Sequence, residues 1–134
     1  MIIILGTGLA GYTLAREIRK INKEMALCLI TEDDGAFYSK PALSNALTLK
    51  RSPDQLITTS VEKMRTDLNA DILTFHSVQK VESQSKTLSV TNLNTHEEKT
   101  LSYTHLVFAV GATPNAIAFP HVLQINSLTD YRLW

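Results

Sequence analysis

The chain opens with an unbroken apolar run, Ile2 to Leu5, closed by Gly6. A short β-branched run of this kind predicts a strand buried on both faces. From Leu9 the apolar period lengthens. Leu14, Ile18 and Ile21 fall at i, i+4 and i+7, while Arg16, Glu17, Arg19 and Lys20 are directed elsewhere. The spacing predicts one amphipathic helix ending near Asn22. Ala26 to Thr31 is a second apolar strand. Strand, helix and strand in about 30 residues make a βαβ unit, with parallel strands and a right-handed crossover.

A polar loop, EDDGAFYSKPALS, follows and leads into a short helix from Ala42 to Leu47. Thr59 with Glu62 three residues on has the pattern of a capping box. Val61, Met64 and Leu68 then give the next helix its apolar side, and Asp71 to His76 is expected to be a third strand of the sheet. After His76 the period drops to two. VQKVESQ, TLSVT and TLSYTHL are separated by polar turns such as NLNTHEE, which predicts a small antiparallel β-meander with one wet face. LVFAV, Leu106 to Val110, restores a strand expected to be fully buried and ends at GATP, and Ser127 starts a last helix.

At 134 residues the chain suits one domain with a real core, and its 44% apolar and 19% charged content is ordinary for a globular protein. Thirteen basic and thirteen acidic side chains cancel, so charge gives no support for nucleic acid or an anionic membrane as partner. No apolar run approaches the roughly 20 residues that span a bilayer, and MIIIL lacks the basic start and cleavage site of a secretory signal. The single cysteine leaves no internal disulfide, and Cys28, inside ALCLI, is expected to be a small buried strand side chain. His76, His96, His105 and His121 show no ligand spacing, so no metal site is expected. These features together suggest a cytoplasmic protein.

The candidate chemistry lies in GTGLAG. Gly6, Gly8 and Gly11 form G-x-G-x-x-G between a strand and a helix. The first glycine permits the tight turn, the second lets backbone approach a pyrophosphate, and the third, helped by Ala15, lets helix and sheet pack closely. The exposed N–H groups and positive helix end then receive the phosphates. Glu32 ends the second strand 21 residues beyond Gly11, where a carboxylate can accept hydrogen bonds from ribose hydroxyls. The plainer alternative is that Glu32 and Asp33 only solvate a loop. Spacing does not separate NAD from FAD, but element order does better. An NAD-type Rossmann domain continues with alternating helices and strands. Here a meander intervenes before the buried strand returns. That order suits an α/β, Rossmann-like FAD/NAD(P)-binding fold whose parallel sheet carries an inserted antiparallel β-meander.

GTGLAGYTLARE, LCLITEDDGAFYSKPALS and LVFAVGATP resemble the N-terminal part of the rubredoxin–NAD(+) reductases, FAD enzymes of the pyridine nucleotide–disulfide oxidoreductase superfamily related to ferredoxin reductases. The resemblance covers essentially the whole chain. It implies electron flow from NADH through FAD to rubredoxin, or to a ferredoxin, and in some bacteria onward to an alkane hydroxylase. It implies that Thr7, Gly8, Leu9 and Ala10 wrap the FAD pyrophosphate, and that Thr31 and Glu32 hold the adenosine ribose. In close relatives the residue at the Glu32 position can be alanine, so that carboxylate rests on the physical reading. Lys40 would lie beside the cofactor as a point charge for phosphate, or else be a solvated loop lysine. Val78 would offer its backbone to the adenine edge. Ala109, Gly111 and Ala112 match the family's second glycine-containing turn, for which the plain alternative is an ordinary turn before Pro114. No catalytic side chain is implied, because the flavin itself takes the hydride and releases single electrons.

The resemblance also carries departures. Ferredoxin reductases often place a lysine near the flavin where Asn45 stands, and the C-x4-C thiol pair of the disulfide reductases is absent. The family's NAD-binding domain and later ribityl-binding motif have no counterpart here. Residues 1–126 are therefore expected to be the N-terminal part of an FAD-binding domain, incomplete at its C-terminus, with 127–134 starting a connection to an NAD-binding domain. The expected cost is an unpaired sheet edge and an uncovered apolar face, with weak FAD binding and no NADH oxidation by this chain alone. The competing readings are a free-standing adenine-dinucleotide-binding module without redox activity and an NAD-dependent Rossmann dehydrogenase, the latter disfavoured by the meander.

Overall fold

The side chains of Ile2–Leu5 alternate between two faces of a sheet, and each face has a different cover. The computed structural model describes residues 1–115 and 117–134. Its strands are β1 (Ile2–Leu5), β2 (Leu27–Ile30), β3 (Phe37–Tyr38), β4 (Ile57–Thr59), β5 (Asp71–Leu73), β6 (His76–Glu82), β7 (Thr87–Asn92), β8 (Glu98–Ser102) and β9 (His105–Phe108). Its helices are α1 (Leu9–Ile21), α2 (Pro41–Ala46), α3 (Val61–Leu68) and α4 (Leu128–Leu133), with a 3-10 turn at Pro53–Leu56.

A four-stranded parallel sheet, ordered β5-β2-β1-β9, forms the centre. On one face Ile4, Leu29 and Ile72 pack against Tyr12 and Ala15 of α1 and Met64 and Leu68 of α3. On the other, Ile3, Leu5, Cys28 and Ile30 meet Leu88 and Val90 from the antiparallel sheet β6-β7-β8. The fold is thus α/β and Rossmann-like, with helices on one side of the sheet and the meander on the other. Tyr12 also donates its hydroxyl to the Gly35 carbonyl and meets Phe37 edge-on.

Several elements depart from the sequence expectation. In α1 the buried line is Gly11, Tyr12 and Ala15, and Ile21 is 88% exposed. Leu14 and Ile18 pack partly buried against the same core, as their spacing predicts, so of the expected apolar stripe only Ile21 departs, and Tyr12 is the large side chain that fills the face. Thr59 does not cap α3, because it ends β4, paired with Phe37 in a short antiparallel ladder. The cap is Ser60, whose side chain accepts from the Lys63 N–H at 3.3 Å. The strand expected through His76 stops at Leu73, since Phe75 turns through a positive φ of 55° and His76 already belongs to β6. LVFAV is not fully buried. β9 is an edge strand, half-buried at Leu106 and Val107, with Phe108 and Val110 exposed at 65% and 69%. Both broad faces of the sheet carry a cover, and exposed large apolar side chains gather at this edge and the segment beyond it, with others at Leu9, Ile21, Leu47 and Leu49.

α4 starts at Ser127, as its pattern predicts, and packs back onto the domain. Leu128 and Tyr131 are buried with Ala46 and Leu56. The Leu128 N–H donates to the Tyr38 hydroxyl, and the Tyr131 hydroxyl to the Arg51 carbonyl. A capping box closes its first turn, with Ser127 bonded to the Asp130 N–H and Asp130 to the Ser127 N–H. The Ser127 side chain and the N–H groups of Asn126 and Ser127 hold the Asp130 carboxyl below its ordinary pKa of 3.8.

Two outcomes follow from this packing. Leu29→Ala is expected to cost about 2–5 kcal/mol in urea unfolding, and Phe108→Ala less than about 0.5 kcal/mol. The depressed Asp130 pKa stabilises the fold fully above the unfolded carboxylate value and progressively less as pH falls through the folded one. The wild-type chain is therefore expected to lose more stability than Asp130→Asn on acidification below about pH 4.

Candidate functional site

The carboxyl ends of β1, β2 and β9 meet the amino end of α1, and two adjoining clefts of about 1000 and 740 Å³ open there. Backbone crowding shapes this corner. Gly6 has φ +105°, and a Cβ on it would lie 2.2 Å from the Ala109 carbonyl oxygen. A Cβ on Gly11 would lie 2.0 Å from the Gly6 carbonyl oxygen. Gly8 is different, with nothing within 4 Å of the place its Cβ would occupy. It is the N-cap of α1, and no side chain caps the helix. The first-turn N–H groups and the positive helix end therefore face the cleft, which suits an anion.

The end of β2 forms the second wall. Thr31 is buried and bracketed by backbone bonds, its N–H to the Leu73 carbonyl at 3.0 Å and its carbonyl to the His76 N–H at 2.9 Å. Its hydroxyl donates to Asp33 Oδ1 at 2.7 Å, which also accepts the Gly35 N–H at 2.9 Å. Asp33 thus organises the turn. Glu32 lies exposed at the cleft and accepts the Ser77 hydroxyl at 2.6 Å.

The structure brings nearly all the candidates together. Gly6, Thr31, Lys40 and Gly111 line both clefts; Thr7, Gly8, Leu9, Ala10 and Ala109 line the smaller, and Glu32, Val78 and Ala112 the larger. Gly11 lines neither, because its place is the contact between α1 and the turn. Sequence reasoning missed Asp33 as the turn's organiser and Ser77 as Glu32's partner. The signal for Asp33 was present, since Asp two residues before Gly is turn chemistry. Ser77 carried none, being 45 residues distant from Glu32. Cys28 lies on the meander side of the sheet. Burial first, then the nearby Asp71, pushes its thiol up to about 11, so it is not a nucleophile at neutral pH. No helix among the described residues is long and apolar enough to cross a membrane.

Comparison with known proteins fits this geometry. Residues 1–132 match the model of the pyridine nucleotide-disulphide oxidoreductase family. Rubredoxin-NAD(+) reductase of Acinetobacter baylyi is 41% identical over 98% of this chain and 34% of its own length. The protein of that name from Alcanivorax borkumensis is 36% identical over 97% of this chain and 34% of its own length. The chain thus spans about a third of the length of these curated relatives. Among solved structures, NADH:rubredoxin oxidoreductase from Clostridium acetobutylicum shares the fold with a TM-score of 0.76 at 21% identity, covering 98% of this chain and 34% of that one. The putidaredoxin reductase in its covalent complex with putidaredoxin gives 0.74 at 23% identity, over 91% of this chain and 28% of that one.

The glycines are expected to differ sharply in tolerance. Gly6→Ala combines a positive φ with a backbone collision and should cost about 2–3 kcal/mol. Gly8→Ala, facing open space, should cost about 1 kcal/mol or less. Urea unfolding of the two variants checks the difference.

Proposed function

The chain belongs to the pyridine nucleotide-disulphide oxidoreductase family, and from that premise we propose that it is the FAD-binding N-terminal segment of an NADH-dependent flavoprotein reductase. The observation that carries this reading is the open, uncapped amino end of α1 at Gly8, which faces the smaller cleft, adjoining through Gly6, Thr31 and Lys40 the larger cleft that receives Glu32 from beyond β2. Both features are needed for the ADP half of a dinucleotide, which presents a pyrophosphate and a ribose diol.

In this reading the backbone at Thr7, Gly8, Leu9 and Ala10 receives the pyrophosphate, assisted by the helix dipole. Thr31 and Glu32 hold the ribose, and Val78 presents its main chain to adenine. Lys40 contributes a positive point charge toward phosphate. Ala109, Gly111 and Ala112 form the second turn, where small residues leave room for the cofactor. Bound FAD supplies hydride acceptance and one-electron release. The chain's own residues bind and orient it, and no side chain is required as a nucleophile. Residues 1–126 form the binding segment and 127–134 lead toward an NAD-binding domain.

For the complete reductase we propose rubredoxin as electron acceptor, with a ferredoxin second, and NADH as donor. The reductases of Acinetobacter baylyi and Alcanivorax borkumensis, at 41% and 36% identity, support the rubredoxin choice. A cytoplasmic location and a supply of electrons to alkane hydroxylation follow from the same reading.

Titration of the chain with FAD, followed by flavin fluorescence and visible absorbance, tests it. Weak saturable binding is expected. Glu32→Ala should weaken it about tenfold or more, by removing hydrogen bonds to a charged group, and Gly8→Val should abolish it. Failure of the folded chain to bind, even when joined to the remaining two thirds of a curated relative, would overturn the flavoprotein reading.

A further inference from the structure

Glu32 is held from a distant part of the chain. The Ser77 hydroxyl, on the second residue of β6, donates to Glu32 Oε1 at 2.6 Å. The two segments are already clamped by backbone bonds on both sides, His76 N–H to the Thr31 carbonyl and Phe75 N–H to the Asp33 carbonyl. The next residue along β6, Val78, lines the same cleft as Glu32. The meander that carries Ser77 is itself anchored on the parallel sheet through Leu88 and Val90.

We propose that Ser77 is a positioning residue for nucleotide binding, acting through Glu32. This rests on the dinucleotide reading and deepens it. An ionised carboxylate offers about four acceptor sites on two oxygens. Ser77 occupies one of them on Oε1 and fixes the plane of the group, leaving Oε2 and the remaining capacity of Oε1 for the two ribose hydroxyls. An exposed glutamate otherwise loses much rotamer freedom when a ligand immobilises it. The tether removes that loss before the ligand arrives, which is preorganisation. It also makes the meander part of the ribose subsite, with Ser77 steering Glu32 and Val78 facing the cleft beside it.

The test uses ADP, which carries the ribose diol, against 2′,3′-dideoxy-ADP, which lacks it. Both are titrated calorimetrically into the wild-type chain, Ser77→Ala, Ser77→Thr, Glu32→Ala and the double variant Ser77→Ala/Glu32→Ala. The expected result is that Ser77→Ala weakens ADP binding by about threefold to tenfold and leaves dideoxy-ADP unchanged. Ser77→Thr should restore the preference for ADP, and Ser77→Ala should have no further effect once Glu32 is removed. Equal weakening of both nucleotides, or an undiminished preference in Ser77→Ala, would overturn the tether while leaving the nucleotide site standing. Absence of ADP binding by the folded wild-type chain would instead count against the dinucleotide reading and so against the ribose role. In that case urea unfolding of Ser77→Ala, Glu32→Ala and the double variant still reports on the contact, and strictly additive losses would overturn it as well.

Discussion

At the carboxyl end of β1 three stretches of backbone come closer than any side chain permits. The carbonyl oxygen of Gly6 stands 2.0 Å from where a Cβ on Gly11 would be, and the carbonyl oxygen of Ala109 stands 2.2 Å from where one on Gly6 would be. This double contact sets the angle at which α1 leaves the strand and the line along which β9 runs past it. Once both are set, the first turn of α1 has only one direction to face. Gly8 and the free N–H groups behind it therefore open onto the cleft.

The rest of the sheet keeps that corner rigid and builds its opposite wall. Alternation along β1 and β2 sends Ile4 and Leu29 toward the helices, and Ile3, Leu5, Cys28 and Ile30 toward the meander. With both faces covered, the strand ends are held from two sides. Thr31, bonded through its backbone to β5 and to the start of β6, is the point where the two layers join. Its position makes this wall of the cleft a joint product of the βαβ unit and the meander. The wall would not exist in the βαβ unit alone.

A third, smaller apolar cluster lies beside the cleft. Ala46, Leu56, Leu128 and Tyr131 pack together, and Arg132 reaches Asp34 at 2.6 Å and Asp54 at 3.3 Å. These ion pairs are partly solvated and contribute little energy individually, but they join α4 to the loop after β2 and to the 3-10 turn. With α4 held against the domain, Asn126, Ser127 and Thr129 line the larger cleft. The family match through residue 132 includes all but the last residue of this helix.

Much of this was legible in the order of residues, because the features concerned are local. The apolar run before Gly6, the glycine spacing and the period-two stretches after His76 each fix a conformation within a few residues, and so identify the βαβ unit, the meander and the glycine corner. Glu32 was legible for the same reason, since a strand end at that distance from the glycines can lie only beside them. What lay beyond reach depended on partners far apart in the chain. The short β3–β4 ladder took Thr59 away from its capping role, Tyr12 and not Ile21 completed the buried face of α1 beside Leu14 and Ile18, and the edge position of β9 left Phe108 exposed. Ser77 joined Glu32 only because the meander folds back over the sheet. The sequence by itself determined the elements, the glycine corner and the acidic strand end. Only the tertiary structure decided how deeply each element is buried and which side chain bonds that carboxylate, because burial and long-range hydrogen bonds are properties of what an element packs against.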